Sequence, residues 1–305
     1  MKDINLDIVR VTEAAAIAAS SWVGSGDKQA ADKAATDAMR ERLNAIHFIG
    51  RVVIGEGIKD EAAGLFSGEK VGGGRGKFGP KVYDLAIDPI EGTRPTVQSG
   101  PEALSVVAVA KKGALFSTGE FYMNKLAYGP KIAAKTRLSI HEPLSKTIKQ
   151  VSQATGKEAS KIMVCLLDRP RHEKLIAELR GIGVRIKLIQ DCDVSAAIAT
   201  CLEDSGIDLL YGIGGAPEAI LTACAIKCLR GDFQAQIVKK EGIIERKVYT
   251  MEDLVKGPCA FAATGITNGS LLRGVRYVPQ GPVTNSVFMR SISGTVRWMT
   301  AYHGN

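Results

Sequence analysis

Beyond residue 140 the sequence alternates strand-length apolar runs with helix-length segments, and that alternation restricts the architectures open to the chain. Residues 162–167, 184–189, 207–211 and 233–238 read as strands, with helices predicted at 172–180, 194–202 and 217–229. Strands separated by helices pair through crossover connections, so this half is predicted to be α/β with a parallel sheet core. The N-terminal half reads differently. Ile8, Val11, Ala15, Ala18 and Trp22 recur at helical spacing over residues 6–23, and Gly24-Ser25-Gly26 ends that helix. A second helix is predicted from about Gln29 to Ile46 with Asp27 as its N-cap, which puts Asp32 near the first turns and Lys28 at the mouth. Strands at 52–54, 82–87, 104–110 and 121–128 follow, an order that predicts an α+β half with a mostly antiparallel sheet. The boundary falls at 139/140, giving halves 1–139 and 140–305, and strand-like runs at 259–264 and 283–292 close the second. A chain of 305 residues can bury two substantial cores.

Charge narrows the partners. The formal net charge is +8, yet the 40 Lys and Arg are scattered, with no run longer than Lys111-Lys112 or Lys239-Lys240, and aromatic residues are 6%. A nucleic-acid groove needs clustered cations and stacking rings, so the excess charge reads as attraction for small anionic substrates. The N-terminus lacks the basic region and apolar core of a signal peptide, and no apolar run approaches membrane-spanning length. Six cysteines, mostly in apolar segments and without metal or redox spacing, read as buried reduced thiols in a cytoplasmic protein. The glycine-rich basic loop at 72–81 lacks the Gly-Lys-Ser/Thr ending of a phosphate loop and precedes a strand, so no nucleotide site is assigned there.

The run Asp88-Pro89-Ile90-Glu91-Gly92-Thr93 places two carboxylates and a hydroxyl directly after an apolar strand. Pro89 and Gly92 predict a bend at the strand's C-terminal edge, where open α/β sheets place their ligands. The plain alternative is a solvated surface turn. Three more sites share the description: Asp32 near a helix start, Glu56 between Gly55 and Gly57 after a strand, and Glu218 beside Pro217 in a glycine-rich turn into a helix. Each alone is equally a helix cap or a loop carboxylate. Together, as acidic oxygen donors without His or Cys, they select Mg²⁺ or Mn²⁺ over zinc.

Residues 28–32, Val53-Ile54-Gly55-Glu56-Gly57, Asp88 to Thr93, Asp168-Arg169-Pro170-Arg171-His172 and residues 211–218 together resemble the class II fructose-1,6-bisphosphatases of bacteria, in the same order over nearly the whole chain. The Asp-Pro-Ile-Glu-Gly-Thr run is also similar to the signature of the wider lithium-sensitive sugar phosphatase superfamily. The resemblance implies a layered α/β fold like that of inositol monophosphatase and metal-dependent hydrolysis of fructose 1,6-bisphosphate to fructose 6-phosphate, a step of gluconeogenesis. It further implies a homo-oligomer, dimer or tetramer. Asp32 and Glu56 would hold one Mn²⁺ or Mg²⁺ ion, and Asp88, Glu91 and Glu218 another. Thr93 would orient the attacking water, with Lys28 beside the reacting phosphate. Glu91, Gly92 and Thr93 would also touch substrate. Tyr122, Arg169, Pro170, Arg171, Asp191, Cys192, Asp193 and Gly215 match positions that bind the sugar and its distal phosphate. The chemistry is consistent: a phosphate monoester repels nucleophiles, and divalent cations both neutralise it and make hydroxide available near neutral pH.

Departures from the family avoid the metal ligands. Cys192 stands where the family usually has glycine between two aspartates, Ile58 where an acidic residue is common, and Ala63-Gly64 where a Pro-Met pair is found. The loop 75–81 is longer and more basic, and residues 240–250 are shortened. These changes bear on which sugar is accepted, so sedoheptulose 1,7-bisphosphate or an inositol monophosphate is the rival substrate. From other classes, a catalytically idle sugar-phosphate-binding protein and a nucleic-acid binder are the remaining alternatives.

Overall fold

The computed structural model describes residues 5–55, 64–74, 81–117, 122–239 and 242–304. The chain opens with helices α1 (Asn5–Ser20) and α2 (Lys28–Asn44) and strands β1 (Ile49–Ile54), β2 (Lys70–Val71) and β3 (Val82–Glu91). Helix α3 (Thr93–Val97), strands β4 (Leu104–Lys111) and β5 (Tyr122–Tyr128), and helices α4 (Pro130–Ala133) and α5 (Leu144–Thr155) follow. Next come β6 (Met163–Leu167), α6 (Glu173–Ile182), β7 (Arg185–Ile189), α7 (Asp193–Ala199), β8 (Leu209–Gly215), α8 (Ala216–Cys228) and β9 (Asp232–Val238). The last elements are β10 (Tyr249–Thr250), α9 (Met251–Leu254), β11 (Cys259–Gly265), β12 (Arg276–Val278), β13 (Gly281–Arg290) and β14 (Thr295–Tyr302). The architecture is α/β with two mixed sheets.

These elements sort into two compact units, residues 1–117 with 255–305, and residues 118–254. The sequence boundary at 139/140 differs from this at both ends. β5 and α4 pack with the second unit, and β11 to β14 return to the first because β11 pairs with β4 over its whole length, from Cys259 opposite Ala110 to Gly265 opposite Leu104. Local periodicity identifies a strand without showing its partner.

In the first unit the strand order is β12-β13-β11-β4-β3-β1-β2, with β14 against β13. Every pair is antiparallel except β1 with β3, which run parallel. α1 packs against β3, β4, β11 and β13, and α2 lies along α1. Ala15, Ala16 and Ala19 of α1 and Ala31 and Ala35 of α2 are fully buried, and such small side chains let helices approach closely. Ile8, Val11, Met39, Leu43, Leu85 and Phe288 fill the same core. At about 1.5–3 kcal/mol for each large apolar side chain, burial rather than helix propensity holds α1 in place. The hydroxyl of Thr12 meets Thr264 at 2.8 Å, and Thr264 meets Ser286 at 2.8 Å, so the polar groups between α1, β11 and β13 are satisfied. Asp27 caps α2 as expected, its carboxylate accepting from the Ala30 N–H at 3.0 Å.

In the second unit the order is β10-β9-β5-β8-β6-β7. β6 runs parallel to both β7 and β8, the core that the alternation predicts. β9 does not join it directly, because β5 inserts between β8 and β9, antiparallel to both. Met123, Lys125, Leu126, Ala127 and Tyr128 have no exposed surface, and a strand buried on both faces belongs inside a sheet. α8 is buried from Ala219 to Ile226, and it packs against β5, β8, β9 and α7. α5 lies outside the sequence expectations, although Leu144, Thr147, Ile148, Val151 and Ala154 bury one helical face.

Candidate active site

The Asp88 to Thr93 run departs from the expected turn in a way that explains its carboxylates. β3 does not end at Ile87 but continues through Pro89 to Glu91. Asp88 lies opposite Val106 of β4 and Glu91 opposite Leu104, so β3 spends one residue more than β4 over this interval. That extra residue is a β-bulge, one of the places where a strand tolerates proline. Successive strand residues face opposite ways, so two side chains three apart would ordinarily point to opposite faces. Leu104 and Val106 share a face, and the bulge puts Asp88 and Glu91 on that face with them. Both carboxylates are buried, 7% and 3% exposed, and the Asp88 Oδ1 accepts from the Ile90 N–H at 3.0 Å.

The bend comes at Gly92, whose φ of 100° and ψ of 51° are left-handed and favour glycine. It delivers Thr93 to the first position of α3, where the Thr93 hydroxyl donates to Asp32 Oδ1 at 2.8 Å. Burial pushes the Asp32 carboxyl above its ordinary value, while the Thr93 hydroxyl and the Lys28 ammonium pull it down. Lys28, Asp32 and Thr93 are therefore neighbours, assembled from the starts of α2 and α3. Glu56 and Ile58 lie outside the described residues, as do Ala63 and most of the basic loop, 75–80.

In the second unit the expected residues gather after the parallel strands. Following β6, Pro170, Arg171 and His172 form one 3-10 turn. Arg169 reaches Asp191, after β7, at 2.6 Å, and Gln190 donates to Asp168 at 2.9 Å, so the two loops are tied together. Arg171 donates through Nε and Nη2 to the Ile213 carbonyl at 3.2 and 2.8 Å, and its guanidinium lies 5.3 Å from the centre of the Tyr122 ring. Burial lowers the pKa of Arg171, and Tyr122 counters that shift.

Cys192 keeps the conformation that a glycine takes freely, with φ 67° and ψ 53°, so the turn between Asp191 and Asp193 is left-handed. An L-residue there costs roughly 1–2 kcal/mol. Asp193 begins α7, and its Oδ2 accepts from Lys125 Nζ at 2.7 Å, although Lys125 is wholly buried in β5. Gly214 makes room for this pair, since a Cβ there would stand 2.1 Å from Asp193 Oδ2 and 2.9 Å from Lys125 Nζ. Gly215 does the same for Glu218, whose Oε2 lies 1.8 Å from where a Cβ would be. Glu218 is only half-buried as a residue, but its Oε2 is sealed from solvent and takes no hydrogen bond among the described residues. Burial raises the Glu218 pKa, Lys125 draws it back and Asp193 pushes it up.

Two residues of this constellation were missed in the sequence. Lys125 carried a signal, a lone charge inside an apolar strand. His172 carried none beyond its place after Arg171. Its Nδ1 donates to the Leu167 carbonyl at 2.7 Å and its Nε2 accepts from the Ile213 N–H at 2.8 Å, so Ile213 is held at its carbonyl by Arg171 and at its N–H by His172. Burial lowers the His172 pKa, which favours the neutral ring this pattern needs.

Among the described residues no three His, Cys, Asp or Glu side chains are gathered closely enough to hold a metal ion. The donors present are still of one chemical kind. Buried carboxylates on one face of β3, and the sealed Oε2 of Glu218, fit a hard divalent cation and offer nothing to a thiophilic one.

Over residues 2–303 the chain matches the family model described as bacterial fructose-1,6-bisphosphatase, glpX-encoded. It is 40% identical over 326 residues to fructose-1,6-bisphosphatase 1 class 2 of Escherichia coli strain K12, covering 99% of this chain and 95% of that protein. The same identity and coverage hold for the proteins named fructose-1,6-bisphosphatase class 2 from Escherichia coli O6:H1 and Shigella flexneri.

Proposed function

The chain belongs to the glpX-encoded bacterial fructose-1,6-bisphosphatase family, and we propose that it is a phosphoric monoester hydrolase that converts fructose 1,6-bisphosphate to fructose 6-phosphate and inorganic phosphate, a step of gluconeogenesis. The observation that carries this reading is the β3 bulge, which sets Asp88 and Glu91 on one face and is followed at once by Thr93, hydrogen-bonded to Asp32. Like charges buried together repel, and a bound cation offsets that repulsion.

In the first unit Asp32, Asp88 and Glu91 are the hard oxygen donors, and in the second it is Glu218; Mg²⁺ or Mn²⁺ is the ion such donors suit. A divalent cation supplies charge neutralisation on the phosphate and a lower pKa for water. The chain's own groups do the rest. Thr93 spends its proton on Asp32, which leaves its oxygen as an acceptor that holds and orients the attacking water. Lys28 places a positive charge beside the reacting phosphate. In the second unit Arg171, stacked over Tyr122, has a planar guanidinium suited to the oxygens of the distal phosphate, and Asp191 and Asp193 accept from sugar hydroxyls. The finer fold assignment, a layered arrangement like that of inositol monophosphatase, belongs to the same proposal, as do cytoplasmic location and homo-oligomeric assembly. Among the described residues no helix is long and apolar enough to cross a membrane.

The test is phosphate release from fructose 1,6-bisphosphate, sedoheptulose 1,7-bisphosphate and inositol monophosphate with Mg²⁺, Mn²⁺ or chelator. Metal-dependent release from the fructose ester is expected. No release from either bisphosphate with either ion would overturn the proposal.

A further inference from the structure

We propose that Lys125 is a positioning residue for the substrate, clamping Asp193 by one carboxylate oxygen so that the other is presented to a hydroxyl of the sugar. The inference rests on the bisphosphatase reading above and deepens it. Lys125 lies mid-strand in β5 with no exposed surface, and Asp193 is 5% exposed. Their contact is 2.7 Å, Nζ to Oδ2.

The second oxygen, Asp193 Oδ1, is buried and has no hydrogen-bond partner among the described residues. Native proteins rarely leave a buried acceptor unmatched, so an unmatched one points to a donor that arrives with a ligand. A neutral hydroxyl suits it, because Lys125 already balances the aspartate's charge. The surrounding sequence is built to keep the clamp in place. Gly214 leaves the gap that the ion pair crosses, and Lys125 sits opposite Gly212 of β8 on one side and Ala235 of β9 on the other. A buried ion pair is a poor source of stability compared with apolar packing, so its presence here asks for another role. Directing Asp193 is that role. Without the ammonium, the carboxylate is free to rotate about its last torsion, which is broad, and Oδ1 loses its aim.

The experiment is a cycle of Lys125→Met, Asp193→Asn and the double variant, each assayed with metal for KM and kcat on fructose 1,6-bisphosphate and for thermal midpoint. Lys125→Met and Asp193→Asn should each raise KM about tenfold or more, with the change falling on KM rather than kcat. The two effects should be non-additive, because both remove the same presented oxygen. The double variant removes the aspartate charge left behind in Lys125→Met, so it should be more stable than that single variant without recovering KM, although Glu218 still loses the ammonium that faces it. A Lys125→Met enzyme with KM within about twofold of wild type, or a double variant whose KM returns to the wild-type value, would overturn the inference. Should Lys125→Met fail to fold, Lys125→Gln decides, a polar replacement that is shorter and uncharged: a KM raised about tenfold supports positioning and a KM within about twofold of wild type refutes it. Asp193→Asn with unchanged KM would remove the acceptor role and the inference with it. Absence of phosphate release by the wild-type protein would instead overturn the proposed function, a failure visible before any variant is made.

Discussion

Replacing Gly215 by alanine should separate folding from catalysis. The glycine has φ −63° and ψ 143°, which alanine adopts without strain. Loss of backbone freedom in the unfolded chain favours alanine by about 0.4–1 kcal/mol, while alanine is the poorer helix N-cap by a similar amount, so these nearly cancel. The new methyl would lie 1.8 Å from Glu218 Oε2, 2.6 Å from its Cδ and 3.0 Å from Oε1, and the carboxylate supplies all three of the nearest atoms. That carboxylate is the end of a flexible side chain. It must retreat by about 1.5 Å to reach ordinary contact, at a rotamer cost of about 0.5–1.5 kcal/mol. The fold should therefore stay within about 1 kcal/mol of wild type in urea unfolding. A misplacement on the order of 1 Å at a catalytic group costs roughly 10²-fold in rate, so phosphate release should fall by about that factor and half-saturation by Mn²⁺ or Mg²⁺ should rise. Wild-type turnover and metal dependence in Gly215→Ala would refute the assignment of Glu218. A stability loss above about 3 kcal/mol would refute the idea that the side chain alone absorbs the methyl.

Other perturbations test other parts. Thr93→Val should lower kcat about 10²-fold or more, whereas Thr93→Ser, which keeps the hydroxyl, should stay much closer to wild type in the same phosphate-release assay. Cys192→Gly should fall within about 1 kcal/mol of wild type because relief of the left-handed strain offsets lost burial, while Cys192→Val should lose more than about 2 kcal/mol in urea unfolding, since a β-branched residue resists that conformation. His172 has a lowered pKa when folded, so the unfolded chain takes up the proton more readily and stability should decline as pH falls through its ordinary value of 6.5. Thermal midpoints read from pH 8 to 5 should show that decline in wild type and a flatter profile in His172→Gln. Arg171→Ala should raise KM for bisphosphates and leave it unmoved for inositol monophosphate, which has no distal phosphate.

The legible parts of this chain were those settled by neighbours in sequence. Asp27 and the apolar spacing after it fix α2, and the strand and helix alternation after residue 160 fixes β6, β7 and β8 and their direction. What escaped depends on pairing between distant segments. Pro89 and Gly92 look like a turn until Asp88 and Glu91 are seen opposite Val106 and Leu104, when the same residues become a bulge. Likewise β5 reads as one more strand of the first half, and only its burial on both faces from Met123 to Tyr128 marks it as the strand between β8 and β9. Candidate ligands could be proposed from sequence where a carboxylate stood in the first turns of a helix, as at Asp32 and Glu218. The roles of Lys125 and His172 could not be read there, because their partners Asp193 and Ile213 lie far along the chain, although Lys125 stood out as a lone charge in an apolar strand.

The division of the first unit into 1–117 and 255–305 has a consequence for how the protein is made. During synthesis from the N-terminus, the second unit is complete in sequence before β11 exists, and it can close on its own core while the first sheet still lacks a strand. β4 must wait for β11 across about 150 residues of chain, a separation that makes such pairing slow and leaves an open strand edge meanwhile. The edge at risk belongs to β4, the strand whose register with β3 creates the bulge. Catalytic competence on this account is the last property the nascent chain acquires, and C-terminal truncations that spare every proposed site residue should still yield an inactive, aggregation-prone protein.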